Sequence, residues 1–173
     1  MIGNELTMTI VSHDTKLAKS INRYKHHYLN KNLEKLDESS TRIIVNHLLS
    51  DVLGYRELID IKTEYPIRGG YIDYLIEINH RKKFVIEVKS ISTKLSAKHL
   101  RQAIYYGAIT GTEWIILTNG RSIELHKIRY TKPLQVIKYA SIDLKYLDVN
   151  SRHSLSLLTK PSVIKGELDQ IKI

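Results

Sequence analysis

Two apolar stretches separated by a short polar turn constrain this chain more than any other feature. They are Tyr71-Ile72-Asp73-Tyr74-Leu75-Ile76-Glu77-Ile78 and Phe84-Val85-Ile86-Glu87-Val88-Lys89. Short apolar runs rich in β-branched and aromatic residues, bounded by polar turns, read as strands. The spacing predicts one strand over about 67–78 and a second over 83–90, joined through Asn79-His80-Arg81-Lys82-Lys83 as an antiparallel hairpin. Side chains alternate along a strand, so Phe84, Ile86 and Val88 point one way while Val85, Glu87 and Lys89 point the other. The hairpin brings Asp73 beside Glu87. Charged groups in such apolar strands are costly to bury unless they pair or serve a site.

Two carboxylates converging beside a lysine suit a hard divalent cation, which takes oxygen ligands and keeps several waters. Mg²⁺ is the expected cofactor, with Mn²⁺ as a substitute. Such a site acidifies water and stabilises charge on a phosphoryl group, with Lys89 orienting the attacking water or helping to deprotonate it. The implied chemistry is phosphodiester hydrolysis. The plainer alternative for Asp73, Glu87 and Lys89 is an exposed strand face carrying a cross-strand ion pair of little energetic weight.

At these residues the chain resembles the PD-(D/E)xK nuclease superfamily, and within it the N-terminal nuclease domain of the restriction subunit of type I restriction enzymes. The family pattern is an Asp on one strand, a hairpin, then Glu-x-Lys, which here reads Asp73, then Glu87-Val88-Lys89. Ile72 departs from it, since many members have proline there. Gln102-Ala103-Ile104-Tyr105-Tyr106, in a helix expected over 96–109, resembles the Gln-x-x-x-Tyr motif. Glu38 and the segment from Thr41 to Leu53-Gly54-Tyr55 are similar to the family's first helix and its Leu-Gly-Tyr end. Trp114-Ile115-Ile116-Leu117-Thr118-Asn119-Gly120 looks like the strand and turn that close its sheet. The resemblance covers about 33–144. It implies an α/β restriction-endonuclease-like fold, a central mixed β-sheet flanked by α-helices. It also implies Asp73 and Glu87 as metal ligands with Glu38 as an outer participant, Lys89 on water, and Gln102 with Tyr106 on the scissile strand or the metal shell. Glu38 reads equally as the acidic first turn of a helix, and Gln102 and Tyr106 as part of a core-facing stripe with Leu95 and His99. Glu64, similar to an acidic residue of related domains, reads as surface.

Composition agrees with a nucleic-acid partner. Lys and Arg number 27 against 18 Asp and Glu, a net charge of +9 that favours polyanions. DNA is the expected substrate and RNA the second candidate. A stripe of Lys94, Lys98, Arg101 and Tyr105 beside the Gln102 face offers the phosphate backbone a path. The eleven tyrosines, against one Phe and one Trp, include Tyr105, Tyr106, Tyr130 and Tyr139 as candidate stacking faces for unpaired bases, or as core-margin residues with wet hydroxyls. The absence of cysteine excludes disulfides and thiolate zinc sites. The eight histidines show no metal spacing; His47, His80, His99, His126 and His153 stand apart without a paired carboxylate pattern and read as surface or phosphate-contacting groups. No apolar run approaches the ~20 residues of a membrane span, and Met1 to Ile10 lacks the start of a secretory signal, so the cytoplasm is the expected compartment. Arg68-Gly69-Gly70 reads as a bend or bulge, not a phosphate loop, so neither a nucleoside triphosphate nor a motor is expected, unlike full restriction subunits.

The length of 173 residues fits a single nuclease domain over 1–173. Its core is expected at about 33–144, with an N-terminal helix over 14–36 and a C-terminal extension over 145–173. The N-terminal helix has Leu17, Ile21, Tyr24 and Tyr28 on one side and Lys16, Lys19, Arg23, Lys25 and Lys31 on the other. A second helix carries Ile44, Val45, Leu48, Leu49, Val52 and Leu53 as a two-row apolar face, stopped by Gly54 as a left-handed cap. Further strands are expected near 113–118, 122–129 and 135–140. A crossover helix between the second and third strands makes them parallel neighbours. The reading is a Mg²⁺-dependent deoxyribonuclease that needs a homodimer to cut both strands in one event. The alternative is a non-catalytic nucleic-acid-binding or assembly module with the same fold.

Overall fold

Six strands form one sheet in chain order: β1 (Ile61–Ile67), β2 (Gly70–Ile78), β3 (Arg81–Val88), β4 (Trp114–Thr118), β5 (Ser122–Arg129) and β6 (Gln135–Asp143). The computed structural model describes residues 15–30, 33 and 35–172. All neighbouring strands are antiparallel except β3 and β4, which pair in parallel from Phe84↔Trp114 to Val88↔Thr118. That parallel step is the one spanned by helix α3 (Ala97–Thr110), because a parallel connection needs a crossover. The remaining helices are α1 (15–24, continued by a π-helical turn at Lys25–Leu29), α2 (Glu38–His47, continued by a second at Leu48–Val52), α4 (Val149–Ser156) and α5 (Lys160–Lys165). The expected mixed α/β sheet flanked by helices is what the chain forms.

The core lies in two layers, one on each face of the sheet. The larger joins Leu17, Ile21 and Tyr24 of α1, Ile44 and Val45 of α2, and the C-terminal Leu155, Leu158 and Val163 to Tyr74, Ile76, Phe84, Ile86 and Trp114. The smaller puts Ala103 and Tyr106 of α3 on Ile72, Leu75, Val85, Ile115 and Ile128. A Cβ on Gly107 would meet Ile128 Cδ1 at 2.6 Å and Ile115 Cγ2 at 2.8 Å, so glycine lets α3 lie close on the sheet.

Several expected boundaries move, each for a physical reason. Strand β1 is an addition to the expected set: only Ile61 of it is buried, and Lys62, Glu64 and Pro66 give it the polar, proline-bearing character of a sheet edge. Arg68-Gly69 is accordingly a tight reversal between β1 and β2, with Gly69 at φ +90°, not a bend within one strand. The β2–β3 turn is only Asn79-His80, both at positive φ (50° and 60°) as two-residue hairpins favour. Strand β3 therefore starts at Arg81 and ends at Val88, earlier than expected at each end. The N-terminal helix, expected to reach 36, stops at Leu29; Leu33 and Leu36 pack on the core without being helical, which is why the apolar pattern runs on. Asp14 and Lys31 lie outside the described residues. Gly54, at φ +81°, closes the second helix as expected. Strand β6 extends to Asp143, and the C-terminal segment forms two short helices whose leucines enter the larger core.

Candidate active site

The β2–β3 ladder ends where the site begins. The last register pair is Tyr74↔Ile86, and one step further out Asp73 and Glu87 face each other across the two strands. There the Val88 amide donates to Asp73 Oδ2 at 2.8 Å, so a side-chain carboxylate takes over the bond of the ladder. Opposite Asp73 in the β1 register stands Glu64, at φ +46°, a strained conformation for a non-glycine residue in a strand. Ile72 and Leu75, three residues apart, enter the same core layer, so the simple alternation of β2 is broken at Asp73-Tyr74.

Glu87 is almost fully buried, with 1 % of its surface exposed. Lys89 Nζ lies 2.6 Å from Glu87 Oε1. This ion pair sets the Lys89 ammonium directly against the buried carboxylate. Burial pushes the Glu87 carboxyl up to about 7; Lys89 offsets part of this, and the Asp73 and Glu38 charges add to it. Burial likewise raises Asp73, against the bonds from the Val88 amide and Arg42. Burial works against the Lys89 ammonium, but Glu87 and Glu38 outweigh it and raise its pKa, so the side chain stays charged. Glu38, in the first turn of α2, meets Lys89 Nζ at 3.3 Å.

The arrangement fits a hard cation at Asp73 and Glu87. A buried carboxylate beside a second acid is destabilised even with the Lys89 contact, and a divalent cation would relieve both the burial and the repulsion. Among the described residues no group of three or more His, Cys, Asp or Glu side chains could hold a metal, so the protein donors reduce to this pair. Glu38 contacts Lys89, placing it beside the pair and not within it.

The other expected site residues divide. Gln102 Nε2 donates to Tyr106 Oη at 2.8 Å, joining the two along α3. The Tyr106 ring is buried in one cluster with Ile72, the neighbour of Asp73, and Val85, two residues before Glu87 on the same strand face, so it lies under the site as a brace. Lys98, Arg101 and Tyr105 are exposed on α3, but Lys94 precedes the helix, whose N-cap is Ser96, and does not continue their stripe. Of the candidate stacking tyrosines, Tyr106 is buried, Tyr139 packs edge-on against Trp114, and the Tyr130 hydroxyl is held by the Gly107 and Thr112 carbonyls. Tyr105 and Tyr130 are both half exposed, and the Tyr105 hydroxyl donates to the Arg68 carbonyl at 3.2 Å. Two histidines are not solitary as expected: His47 Nδ1 lies 3.1 Å from Asp51 and His126 Nε2 3.1 Å from Glu124, and His126 is buried.

Two residues of the neighbourhood have little signature in the sequence. Arg42 Nη1 lies 3.1 Å from Asp73 Oδ1 and 3.6 Å from Glu64 Oε1. Its one signal is its place four residues after Glu38, hence on the same helical face. His99, expected only as a member of a core stripe, has a buried Nδ1 without a partner, and burial together with the Lys89 charge lowers its pKa. Behind the site, Asn119 fixes the loop after β3: its Nδ2 donates to the Ile91 and Thr93 carbonyls, while the Ile91 amide donates to Thr41 Oγ1.

Strand order, the parallel step and the paired acids define an α/β sheet protein with a polar site at the open end of a hairpin. Residues 37–142 match the family model described as the type I restriction enzyme R protein N terminus (HSDR_N), and the chain belongs to that family. No curated protein and no solved structure matches it. Among the described residues no helix is long and apolar enough to cross a membrane.

Proposed function

We propose that the chain is a metal-dependent nuclease of the PD-(D/E)xK type that hydrolyses phosphodiester bonds in DNA within a restriction system. The single observation that carries this reading is the buried Glu87 carboxylate beside Asp73, with the Lys89 ammonium against it. Mg²⁺ or Mn²⁺ held by the two acids would supply positive charge for a non-bridging phosphate oxygen and lower the pKa of a water. Asp73, with one oxygen on the Val88 amide, is fixed in place to bind. Lys89, kept charged by its two glutamates, orients the attacking water and stabilises charge on the phosphoryl group; this favours positioning over deprotonation as its task. Glu38, in contact with Lys89 Nζ, is the carboxylate placed to take the water's proton through a bridging water. Water adds to phosphorus, one P–O ester bond breaks, and the departing oxygen takes its proton from solvent water, while the proton of the attacking water passes to Glu38 and on to solvent. Tyr106, braced by Gln102, keeps the floor under Asp73 and Glu87 rigid. The basic surface, with Lys98 and Arg101 on α3, attracts the strand.

The test is incubation of the chain with circular single- and double-stranded DNA, and with RNA, with and without Mn²⁺. Cleavage that requires the metal and vanishes in Asp73→Ala supports the reading. Salt-dependent binding without turnover, in the presence of the metal, would leave a binding or assembly module of the same fold.

A further inference from the structure

Arg42 is the one cation among the described residues that line a cavity of about 420 Å³ on the Asp73 side of the site. Its Nη1 faces Asp73 Oδ1 at 3.1 Å and Glu64 Oε1 at 3.6 Å, and its Nη2 lies 3.4 Å from Ser39 Oγ. The Arg42 carbonyl accepts the Tyr74 hydroxyl at 2.6 Å, which pins the backbone, while the side chain stays 30 % exposed. Backbone strain gathers at the same place: Leu58 and Glu64, both at positive φ, line this cavity. Glu57 accepts Asn46 Nδ2 at 2.7 Å, and Glu64 shares the Arg42 guanidinium with Asp73, so a phosphate entering here depends on the charge of Arg42 and of a cation at Asp73. Ser39 and Thr63 add neutral hydroxyls to the wall.

The guanidinium therefore sits on the Asp73 oxygen that the Val88 amide leaves free. Two positive charges cannot share that oxygen at low cost. When a divalent cation takes it, Arg42 gives up its partner and is repelled, yet its anchored backbone keeps it beside the cavity. A planar fork of donors matches a phosphate in two bonds, which Lys89, committed to Glu87 and Glu38, cannot do. We propose that Arg42 and the cavity it lines form a subsite for a backbone phosphate of the substrate strand next to the cleaved one, with Arg42 held on Asp73 until a divalent cation replaces it. The proposal rests on the nuclease reading above. It makes metal loading and strand binding cooperative, because the cation releases the group that grips the phosphate.

Two titrations test this, each on folded protein checked by thermal melting. In the first, Mn²⁺ alone is titrated calorimetrically into wild type, Arg42→Gln and Arg42→Lys. Removing the competing charge should tighten Mn²⁺ binding in Arg42→Gln by ~5-fold or more, with Arg42→Lys close to wild type. In the second, a labelled single-stranded oligonucleotide is bound with and without Ca²⁺. Wild type should gain ~10-fold or more from Ca²⁺, and Arg42→Gln should lose that gain. Equal Mn²⁺ affinities in wild type and Arg42→Gln, or an undiminished Ca²⁺ gain in Arg42→Gln, would overturn the phosphate subsite and leave the nuclease reading standing. A wild-type chain that binds no Mn²⁺ at all would overturn both.

Discussion

Glu87 and Asp60 are both buried carboxylates with a lysine Nζ 2.6 Å away, Lys89 in one case and Lys160 in the other. Burial works against both charges, and what else surrounds them decides the outcome. Asp60 also accepts the Arg56 amide at 2.7 Å and the Arg56 guanidinium at 3.3 Å, and these bonds with Lys160 overcome burial to hold its carboxyl at about 2. Glu87 has only Lys89 to set against burial and two acids, Asp73 and Glu38, close enough to raise it, and it stands at about 7. A lysine contact alone makes neither a lock nor a site. Satisfied bonds make Asp60 a clasp between the turn after α2 and α5; a lone lysine contact and neighbouring acids leave the Glu87 carboxyl raised.

The comparison breaks most readily at its active end. Asp73→Ala or Glu87→Gln should cut single-turnover cleavage of DNA by ~10³-fold or more while circular dichroism shows the fold kept. Lys89→Ala should lower the same rate by ~10²-fold with little change in DNA affinity; an effect confined to affinity would make Lys89 a plain phosphate ligand. At the other end, Asp60→Ala leaves the Arg56 amide and Lys160 unpartnered and should cost ~3 kcal/mol in urea unfolding, with cleavage per folded molecule unchanged.

Linkage to pH sharpens the contrast. Asp60 is depressed, so its contribution is present above about 3.8 and fades as pH falls towards 2. Glu87 is raised, so the folded metal-free state is favoured below about 4.5 and loses that advantage as pH rises through 7. Glu87→Gln without metal should therefore be more stable than wild type at pH 8, by ~1–3 kcal/mol, and indistinguishable from it in this respect at pH 4. The smallest effect belongs to the α3 surface. Replacing Lys98 and Arg101 together should weaken binding of all sequences alike and reduce the salt slope by ~0.9 for each phosphate no longer neutralised; an unchanged slope would move the strand's path elsewhere.

Much of the candidate site is legible in the sequence because Asp73, Glu87 and Lys89 stand out as charges in two apolar runs, and because a crossover helix forces β3 and β4 parallel. Less can be read where the signal lies in three dimensions. Strand β1 hides behind Lys62, Glu64 and Pro66, since an edge strand shows one buried residue and no alternation. Arg42 reaches Asp73 across 31 positions of sequence, and only its spacing from Glu38 hints at a shared face. The clasp is invisible for the same reason: Asp60 and Lys160 stand 100 residues apart. The C-terminal leucines look like a fading pattern because two short helices do not sustain a period, yet Leu155 and Leu158 are fully buried.

Carboxyl-detected NMR of the metal-free chain, followed by addition of Mg²⁺, measures both acids in one titration. The account predicts that Glu87 titrates near 7 and Asp60 near 2, and that Mg²⁺ pulls Glu87 down while leaving Asp60 where it is. A Glu87 that titrates as low as an ordinary glutamate and ignores Mg²⁺ would contradict it.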